Sequence, residues 1–144
     1  MMNINLSFCL AIQRAHASLR LKLDDELGIY HGISFSDFVL LDLLAQTVNG
    51  RVRIVELVRP LGVPQSAVLR QLILLEKIGL VVRDGASDER YAVLRPAGRV
   101  LVNAARETAN NICSRAVISI TPNTIGLVST ALVTLACAPA LALS

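Results

Sequence analysis

The chain of 144 residues contains no tryptophan, and aromatic residues make up only 3% of it. Charged residues are also few, at 17%, whereas hydrophobic residues reach 53%. A core built from leucine, valine, isoleucine and alanine suits helices packed on helices, and the apolar excess indicates a subunit interface as well as a core. We therefore expect one mainly helical domain over residues 1–144, large enough to fold without a disulfide or a metal.

Cysteine and histidine are scarce as well. The three cysteines, Cys9, Cys113 and Cys137, are odd in number and widely spaced, which argues against a disulfide framework and a zinc-ligand pattern. The two histidines stand apart, and the sequence has neither a glycine-rich phosphate loop nor a nucleophile elbow. These absences argue against an enzyme, and we expect no metal and no cofactor.

Charge is missing altogether from residues 116–144. The apolar run 125–143 is close to the length of a bilayer span, so a C-terminal membrane anchor is one interpretation. Serine and threonine within the run and the lack of aromatic or basic flanks favour a buried helix instead. Because Arg14 and Arg20 closely follow a short apolar start, we expect no signal peptide, a cytoplasmic location and no membrane partner.

Positive charge is concentrated in the middle of the chain. Nine lysines or arginines and five acidic residues lie between Arg51 and Arg99, which gives this stretch a net charge of +4, while the whole chain carries +3. Eight of the nine cations are arginine, which makes planar, bidentate contacts to phosphate and guanine. This distribution is typical of a protein with a polyanionic partner, although a solvated polar face would give the same pattern.

Helical periodicity, capping residues and turn residues predict the elements. A first helix is expected over about residues 5–27, ended by Gly28, and Ser34 with Asp37 forms a capping box for a second helix up to about Thr47. A minimal strand and two helices are then expected over residues 51–53, 54–61 and 64–78. Two strands joined by a polar turn follow over residues 80–83 and 90–94. Two last helices are expected over residues 96–117 and 121–138.

Two helices joined through a glycine and followed by a hairpin form the plan of a winged helix-turn-helix. The second helix of this plan fits the major groove of DNA, and the hairpin tip reaches the neighbouring minor groove. The run 54–83 contains Val-Leu-Arg on the second helix and Leu-Glu-Lys-Ile-Gly-Leu-Val-Val-Arg after it. With Asp88-Glu89-Arg90 in the turn and Gly98-Arg99 in the next helix, it resembles the MarR family of winged helix-turn-helix transcriptional regulators.

The resemblance implies a mainly α fold with a small β-wing. Residues about 30–97 would form the winged helix-turn-helix, and residues about 5–27 and 96–138 a helical dimerisation layer. It also implies a homodimer that binds a pseudo-palindromic operator in double-stranded DNA, with the two recognition helices about one helical turn apart. Such a regulator would act as a repressor that releases DNA when a small aromatic or phenolic ligand binds.

The resemblance and the pattern of cations indicate which residues would contact DNA. Arg70 matches the recognition-helix arginine, and Arg90 matches the wing arginine, with Asp88 expected to orient it by an ion pair. Arg83 is expected to contact phosphate or to stabilise the wing. Leu69 either contacts a thymine methyl group or weakens binding. The remaining candidates are Gln65, Ser66 and Arg53.

Several alternatives stay open beside this interpretation. The polar groups near the implied ligand crevice are Arg14, His16, Tyr30 and His31. Redox sensing through Cys9, with Cys113 as its partner, is one alternative, and a membrane-anchored regulator is another. A further alternative is a winged-helix dimer that has lost DNA binding and contacts a protein through Leu69, Ile73 and Leu74.

Overall fold

The structure is a computed structural model, and it describes residues 3–86 and 88–137. Its helices are α1 (Ile4–His31), α2 (Phe35–Gln46), α3 (Val58–Leu61), α4 (Gln65–Lys77), α5 (Pro96–Ala116) and α6 (Pro122–Ala136). Its strands are β1 (Arg51–Arg53), β2 (Val81–Asp84) and β3 (Tyr91–Leu94), and a 3-10 turn over Ile54–Leu57 joins β1 to α3. The expected mainly helical fold with a small β-wing is confirmed.

The chain divides into two compact units, residues 1–112 and residues 113–144. The first unit has an aliphatic core, and none of its described buried side chains is polar. The fully buried side chains come from α1, α2, the 3-10 turn, α4, β2 and α5, and the largest are Leu23, Leu27, Leu40, Leu41, Leu44, Ile54, Leu57 and Leu72. Leucine therefore predominates in the core, in keeping with the scarcity of aromatic residues.

The first helix is longer than the sequence predicts. The sequence places its end at Gly28, but α1 continues to His31 and is capped by Gly32, which has a left-handed φ of 68°. The Gly32 N–H bonds to the carbonyls of Gly28 and Leu27, which closes the last turn. Because Leu27 and Ile33 are both buried, the core selects the second glycine as the cap, and the expected end at Gly28 is wrong.

The start of α2 is fixed by the predicted capping box. The Ser34 hydroxyl accepts a hydrogen bond from the Asp37 N–H at 3.0 Å, and the Asp37 carboxylate accepts one from the Ser34 N–H at 3.1 Å. Asp24 of α1 accepts a further hydrogen bond from the Phe35 N–H at 2.7 Å. Side chains thus satisfy three backbone donors at the start of α2, and the bond to Asp24 attaches α2 to α1.

A three-stranded antiparallel sheet has the strand order β1–β3–β2. β2 pairs with β3 from Val81 opposite Leu94 to Asp84 opposite Tyr91, and β1 pairs with the other edge of β3. The minimal strand and the hairpin that the sequence predicts are therefore confirmed. We call β2, β3 and the turn between them the hairpin below.

The helix α5 starts in close contact with the hairpin. A Cβ atom at Gly98 would lie 2.3 Å from the Leu80 carbonyl oxygen and 2.7 Å from Leu94 Cδ1. The same Leu80 carbonyl accepts a hydrogen bond from the Arg95 N–H at 3.0 Å. Because a larger residue would clash with the backbone there, Gly98 sets how closely α5 approaches the end of β3.

The second unit contains the end of α5 and the apolar helix α6. Thr121 caps α6, because its hydroxyl accepts a hydrogen bond from the Thr124 N–H at 3.3 Å, and Pro122 lies in the first turn. Thr130 and Thr134 each donate a hydroxyl to a carbonyl one turn earlier at 3.0 Å. The hydroxyls of Thr130 and Thr134 are therefore satisfied within the helix and need no partner outside it.

Among the described residues, no single helix is long and apolar enough to cross a membrane. α1 and α2 together meet the length and composition of a span, and they are bent by 76° at the break between them. The anchor considered over residues 125–143 and the helix end expected before Pro139 extend beyond the described residues.

Candidate nucleic-acid interface

The helix α4 buries one face and turns the other outward. Pro64 is its N-cap residue rather than its first helical residue, and the Pro64 carbonyl accepts hydrogen bonds from the N–H groups of Ala67 and Val68. Val68, Leu72 and Leu75 are buried in the core. Their spacing of four and three residues fixes the rotation of α4 about its own axis.

The opposite face of α4 carries a line of exposed side chains, which we call the outward stripe: Ser66, Arg70, Ile73 and Lys77. Successive members are three or four residues apart, so they lie above one another along the helix. The predicted exposure of Arg70 on this helix agrees with the structure. Lys77 is absent from the predicted contacts and Ile73 appears only in the protein-binding alternative, although their spacing from Ser66 and Arg70 would have identified both.

Gln65 and Leu69 lie beside the outward stripe. They help to line a cavity of about 300 Å³ together with Arg53, Asp88, Glu89 and Arg90, which we call the helix–hairpin cavity. Leu69 is half-buried and packs against the core, so it does not stand on the outward stripe. The structure nevertheless brings five of the predicted contact residues to this one concave surface.

The turn of the hairpin depends on a glycine. Gly85 has a φ of 100°, and a Cβ atom there would lie 2.2 Å from the Glu89 carbonyl oxygen. Arg90 follows the turn with an exposed side chain, and its carbonyl accepts a hydrogen bond from the Ile54 N–H at 2.9 Å. The backbone of Arg90 is therefore held against the 3-10 turn, while its side chain lines the helix–hairpin cavity.

Arg83 connects the hairpin to α4. Its Nε donates to Glu76 Oε1 at 2.9 Å, and its backbone N–H donates to the same oxygen at 3.1 Å. The hydrogen bond from the Arg83 side chain lowers the pKa of the Glu76 carboxyl below its ordinary value. Of the two roles that the sequence allows for Arg83, these contacts favour stabilisation of the wing over phosphate binding.

Arg51 connects β1 to the hairpin. Its Nη1 donates to Asp84 Oδ2 at 2.7 Å, and its guanidinium carbon lies 3.9 Å from the centroid of the Tyr91 ring. The hydrogen bonds from the Arg51 side chain and from the Gly85 N–H lower the pKa of the Asp84 carboxyl. Ion pairs from Arg51 on one edge strand and Arg83 on the other therefore stabilise the position of the hairpin.

The ion pair expected between Asp88 and Arg90 does not form within the described part of the chain. The carboxylate that pairs near the tip is the neighbouring Glu89, whose Oε1 lies 3.5 Å from Arg53 Nη2. The Nε of Arg53 is buried and has no hydrogen-bond partner among the described residues. The expectation that Asp88 orients Arg90 is wrong, because the carboxylate that pairs with an arginine here is Glu89, and its partner is Arg53.

A second cavity, of about 380 Å³, is lined by residues of α1, α2, α3 and α4. Of the four ligand candidates, His16 is among its described lining residues, whereas Arg14, Tyr30 and His31 are not. His31 Nε2 instead lies 2.8 Å from Thr108 Oγ1 of α5. We call this space the four-helix cavity.

Among the lining residues that the sequence predictions leave out, two bring a cation and an aromatic ring to the four-helix cavity. Arg20 lies one turn after His16 on α1, and Phe35 begins α2. The spacing of four residues between His16 and Arg20 is a signal that would have paired them. The contribution of Phe35 depends on how α2 packs on α1, which no local pattern shows.

The remaining candidates concern thiols and metals. Cys9, Cys113 and Cys137 are free and exposed. Cys9 belongs to the first unit and Cys113 to the second, so a redox role for this pair stays a prediction. In the described ranges there is no group of three or more histidine, cysteine or acidic residues that could hold a metal ion.

The helices α2 to α4 and the three-stranded sheet, which includes the hairpin, together form a winged helix-turn-helix domain. Residues 38–85 match the model of the IclR helix-turn-helix domain, a range that extends from α2 into the turn of the hairpin. No curated protein sequence is significantly similar to this chain.

Several solved structures that share the fold are described as transcriptional regulators. A MarR family regulator from Streptomyces coelicolor, solved in complex with DNA, has a TM-score of 0.81 at 20% identity, with 94% of this chain and 88% of that chain covered. CouR from Rhodococcus jostii, bound to p-coumaroyl-CoA, gives 0.84 at 18% identity and coverages of 93% and 94%. BldR from Sulfolobus solfataricus gives 0.80 at 24% identity and coverages of 94% and 98%. The chain therefore has the fold of MarR family regulators.

Proposed function

We propose that this chain is a transcriptional regulator that binds double-stranded DNA as a homodimer and represses the genes that it controls. The observation that supports this best is the position of Arg70 on the outward stripe of α4 beside the cavity lined by Arg90 of the hairpin. A helix and a hairpin that present cations side by side match a major groove and the adjoining minor groove. A regulator with the same fold has been solved in complex with DNA.

Each residue at this surface has a role in the proposal. Arg70 reads a guanine from the major groove, while Gln65 and Ser66, in the first turn of α4, contact bases or phosphate. Arg90 enters the minor groove, where its charge meets the stronger negative potential of a narrow groove. Arg53 leaves its ion pair with Glu89 and binds a phosphate instead. Arg83 keeps the hairpin in position through its ion pair with Glu76.

The experiment is a binding titration on duplex DNA selected from a random library, with a fluorescent label on the DNA. Arg70→Ala and Arg90→Ala should each weaken binding by about 10-fold or more, because each removes a charged contact to the duplex. Wild-type affinity should fall steeply with added salt, since phosphate contacts release counterions.

The matched control is Lys22→Ala, which removes one exposed cation from α1 and leaves the candidate interface intact. It should bind DNA as the wild type does. If the wild type selects no duplex, or if both arginine variants bind as tightly as the control, the proposed function is wrong.

Exposed apolar side chains on two helices support the proposal of a homodimer. The first turns of α1 expose Ile4, Leu6 and Phe8, and α6 exposes Leu127, Val133 and Leu135. Apolar side chains in such numbers on neighbouring turns are unusual for a monomer in water. A second copy of the chain would cover them and would place two copies of α4 on one pseudo-palindromic site.

We also propose that a small aromatic acid controls DNA binding through the four-helix cavity. His16 and Arg20 supply polar and cationic groups there, and Phe35 supplies an aromatic surface. CouR, which shares the fold, has been solved with p-coumaroyl-CoA. Titration with 4-hydroxybenzoate and p-coumarate should weaken DNA binding of the wild type, and Arg20→Ala should lose this response. Equal DNA affinity with and without each acid would contradict ligand control by this class.

A second candidate function is protein binding through α4. Leu74 is 59% exposed on this helix, and an exposed leucine on a recognition helix suits an apolar partner. Capture of a protein that depends on Leu74, in a chain that selects no duplex, would favour this function over the first.

A further inference from the structure

We propose that Ile73 is a specificity-determining residue that reads the 5-methyl group of a thymine in the major groove, next to the base contacted by Arg70. This inference rests on the proposed binding of duplex DNA. It assigns the thymine contact to a residue other than Leu69, for which the sequence suggested it.

The orientation of α4 separates the two aliphatic side chains. Val68, Leu72 and Leu75 are buried, so the outward direction of the helix is the one shared by Ser66, Arg70, Ile73 and Lys77. Leu69 projects to the side, where it packs against the core and lines the helix–hairpin cavity. Ile73, at 37% exposed, is therefore the aliphatic side chain that would meet the floor of a groove occupied by α4.

The charges around Ile73 favour a polyanion over an apolar protein surface as its partner. Arg70 lies one turn before Ile73 on the outward stripe and Lys77 one turn after it, and both are exposed. The one carboxylate of α4, Glu76, is held by Arg83 at 2.9 Å and turned towards the hairpin. An aliphatic group between two cations fits the major groove of DNA, where phosphates flank the floor and the thymine methyl is the apolar group on it.

The geometry also limits where the thymine lies. Three residues of α-helix advance by about 4.5 Å, whereas successive base pairs are about 3.4 Å apart. The thymine should therefore lie one or two base pairs from the base that Arg70 contacts. Isoleucine is β-branched and has one strongly preferred χ1 rotamer in a helix, so little side-chain freedom is lost when the contact forms.

The test uses deoxyuridine, which differs from thymidine only by the 5-methyl group. After selection of a duplex, each thymidine is replaced in turn by deoxyuridine and binding is measured with the full chain. For the wild type, one thymine position per half-site should weaken binding by about 4-fold when its methyl is removed, the effect expected for burying a single methyl group. Ile73→Ala should bind both duplexes about equally, and Ile73→Val should keep part of the preference.

The matched control is Leu74→Ala, which truncates an exposed aliphatic side chain of the same helix outside the outward stripe. It should keep the full preference for thymidine over deoxyuridine. If the wild type binds DNA but shows no such preference, or if Ile73→Ala keeps it, the assignment of Ile73 is overturned while the proposed function stands. If the wild type binds no duplex at all, or binds a protein through Ile73 instead, both fall.

Discussion

At the scale of residues, the partners of the arginines decide how the candidate interface works. Nine cations between Arg51 and Arg99 suggest a uniformly basic surface, but Arg51, Arg53 and Arg83 are each paired with a carboxylate. The sequence reveals the cations and their number. It does not reveal the pairs, because pairing depends on the strand register and on the rotation of α4. For the same reason, the sequence does not reveal that Glu89 pairs with Arg53.

Gly98 provides the first residue-scale prediction. Gly98→Ala should destabilise the protein by about 1–3 kcal/mol, because the added methyl would lie 2.3 Å from the Leu80 carbonyl oxygen. Gly28→Ala, in α1, has no neighbouring atom within 4 Å and should stabilise the protein by up to about 1 kcal/mol through helix propensity. Urea unfolding followed by circular dichroism measures both variants. Equal midpoints for the two would contradict the close approach of α5 to the hairpin.

Glu76 provides a prediction about pH. Because Arg83 lowers the pKa of Glu76 below its ordinary value of 4.5, the ionised carboxylate stabilises the fold above that value, and this contribution is lost as the pH falls through the lowered pKa. Glu76→Gln should therefore be less stable than the wild type at pH 7, by about 0.5 kcal/mol for a partly exposed pair. The difference in stability between the two proteins should shrink as the pH falls through the lowered pKa of Glu76.

Thermal melts of both proteins at pH 7 and pH 3 measure this difference. Glu107→Gln, at an exposed position of α5, serves as the control and should follow the wild type at both values. A wild type and a Glu76→Gln variant that differ by the same amount at pH 7 and pH 3 would show that the Arg83 pair has no part in acid stability.

At the scale of elements, most of the fold could be predicted. Capping by Ser34 and Thr121 and the alternation in the hairpin are local signals, because they depend on residues a few positions apart. The end of α1 could not be predicted in the same way, since Gly28 and Gly32 are both able to cap a helix and the choice depends on burial of Leu27 and Ile33. Contacts between elements, including the lining of both cavities, likewise depend on packing.

The link between α2 and α4 leads to an element-scale prediction. Gln71 Nε2 donates to Asp37 Oδ1 at 3.0 Å, and Asp37 is also the partner of Ser34 in the capping box of α2. Gln71→Leu should cost about 0.5–1.5 kcal/mol by removing this hydrogen bond and should weaken DNA binding, because α4 is less firmly held. Urea unfolding and DNA titration measure the two effects.

Gln46→Leu is the control for this prediction, because Gln46 bonds within α2 to Asp42 at 3.4 Å and is exposed. It should change neither stability nor DNA binding appreciably. Were Gln71→Leu to behave like this control, the hydrogen bond between α2 and α4 would have no effect on the position of α4.

At the scale of the whole molecule, exposed apolar side chains on α1 and α6 bear on assembly. The sequence shows that residues 116–144 are uncharged, which is compatible with a membrane anchor or with a subunit interface. Thr130 and Thr134 donate their hydroxyls to carbonyls within α6. This is compatible with burial of α6 against an apolar partner, but it does not identify that partner. The two interpretations are separated by an experiment on association.

Leu127→Asp provides that experiment, because Leu127 is 67% exposed on α6 and a charge there should disfavour burial in an interface. Sedimentation velocity should show a dimer for the wild type and a shift towards monomer for the variant, with DNA affinity lowered by about 10-fold or more. Val48→Asp, in the turn after α2, makes the same change at another exposed apolar site and should stay dimeric. A wild type that sediments as a monomer would exclude the homodimer.

The fastening of the hairpin restricts how such a protein could be switched. Glu76 and Arg83 attach the hairpin to α4, while the Leu80 carbonyl and Gly98 hold its other end against α5. Because these contacts attach the wing at both ends, we expect the helix and the wing to tilt together as one block. Control would then change the angle of the block relative to DNA. In a dimer, this would alter the spacing between the two blocks rather than the structure inside either one, so that they no longer match the two halves of the DNA site.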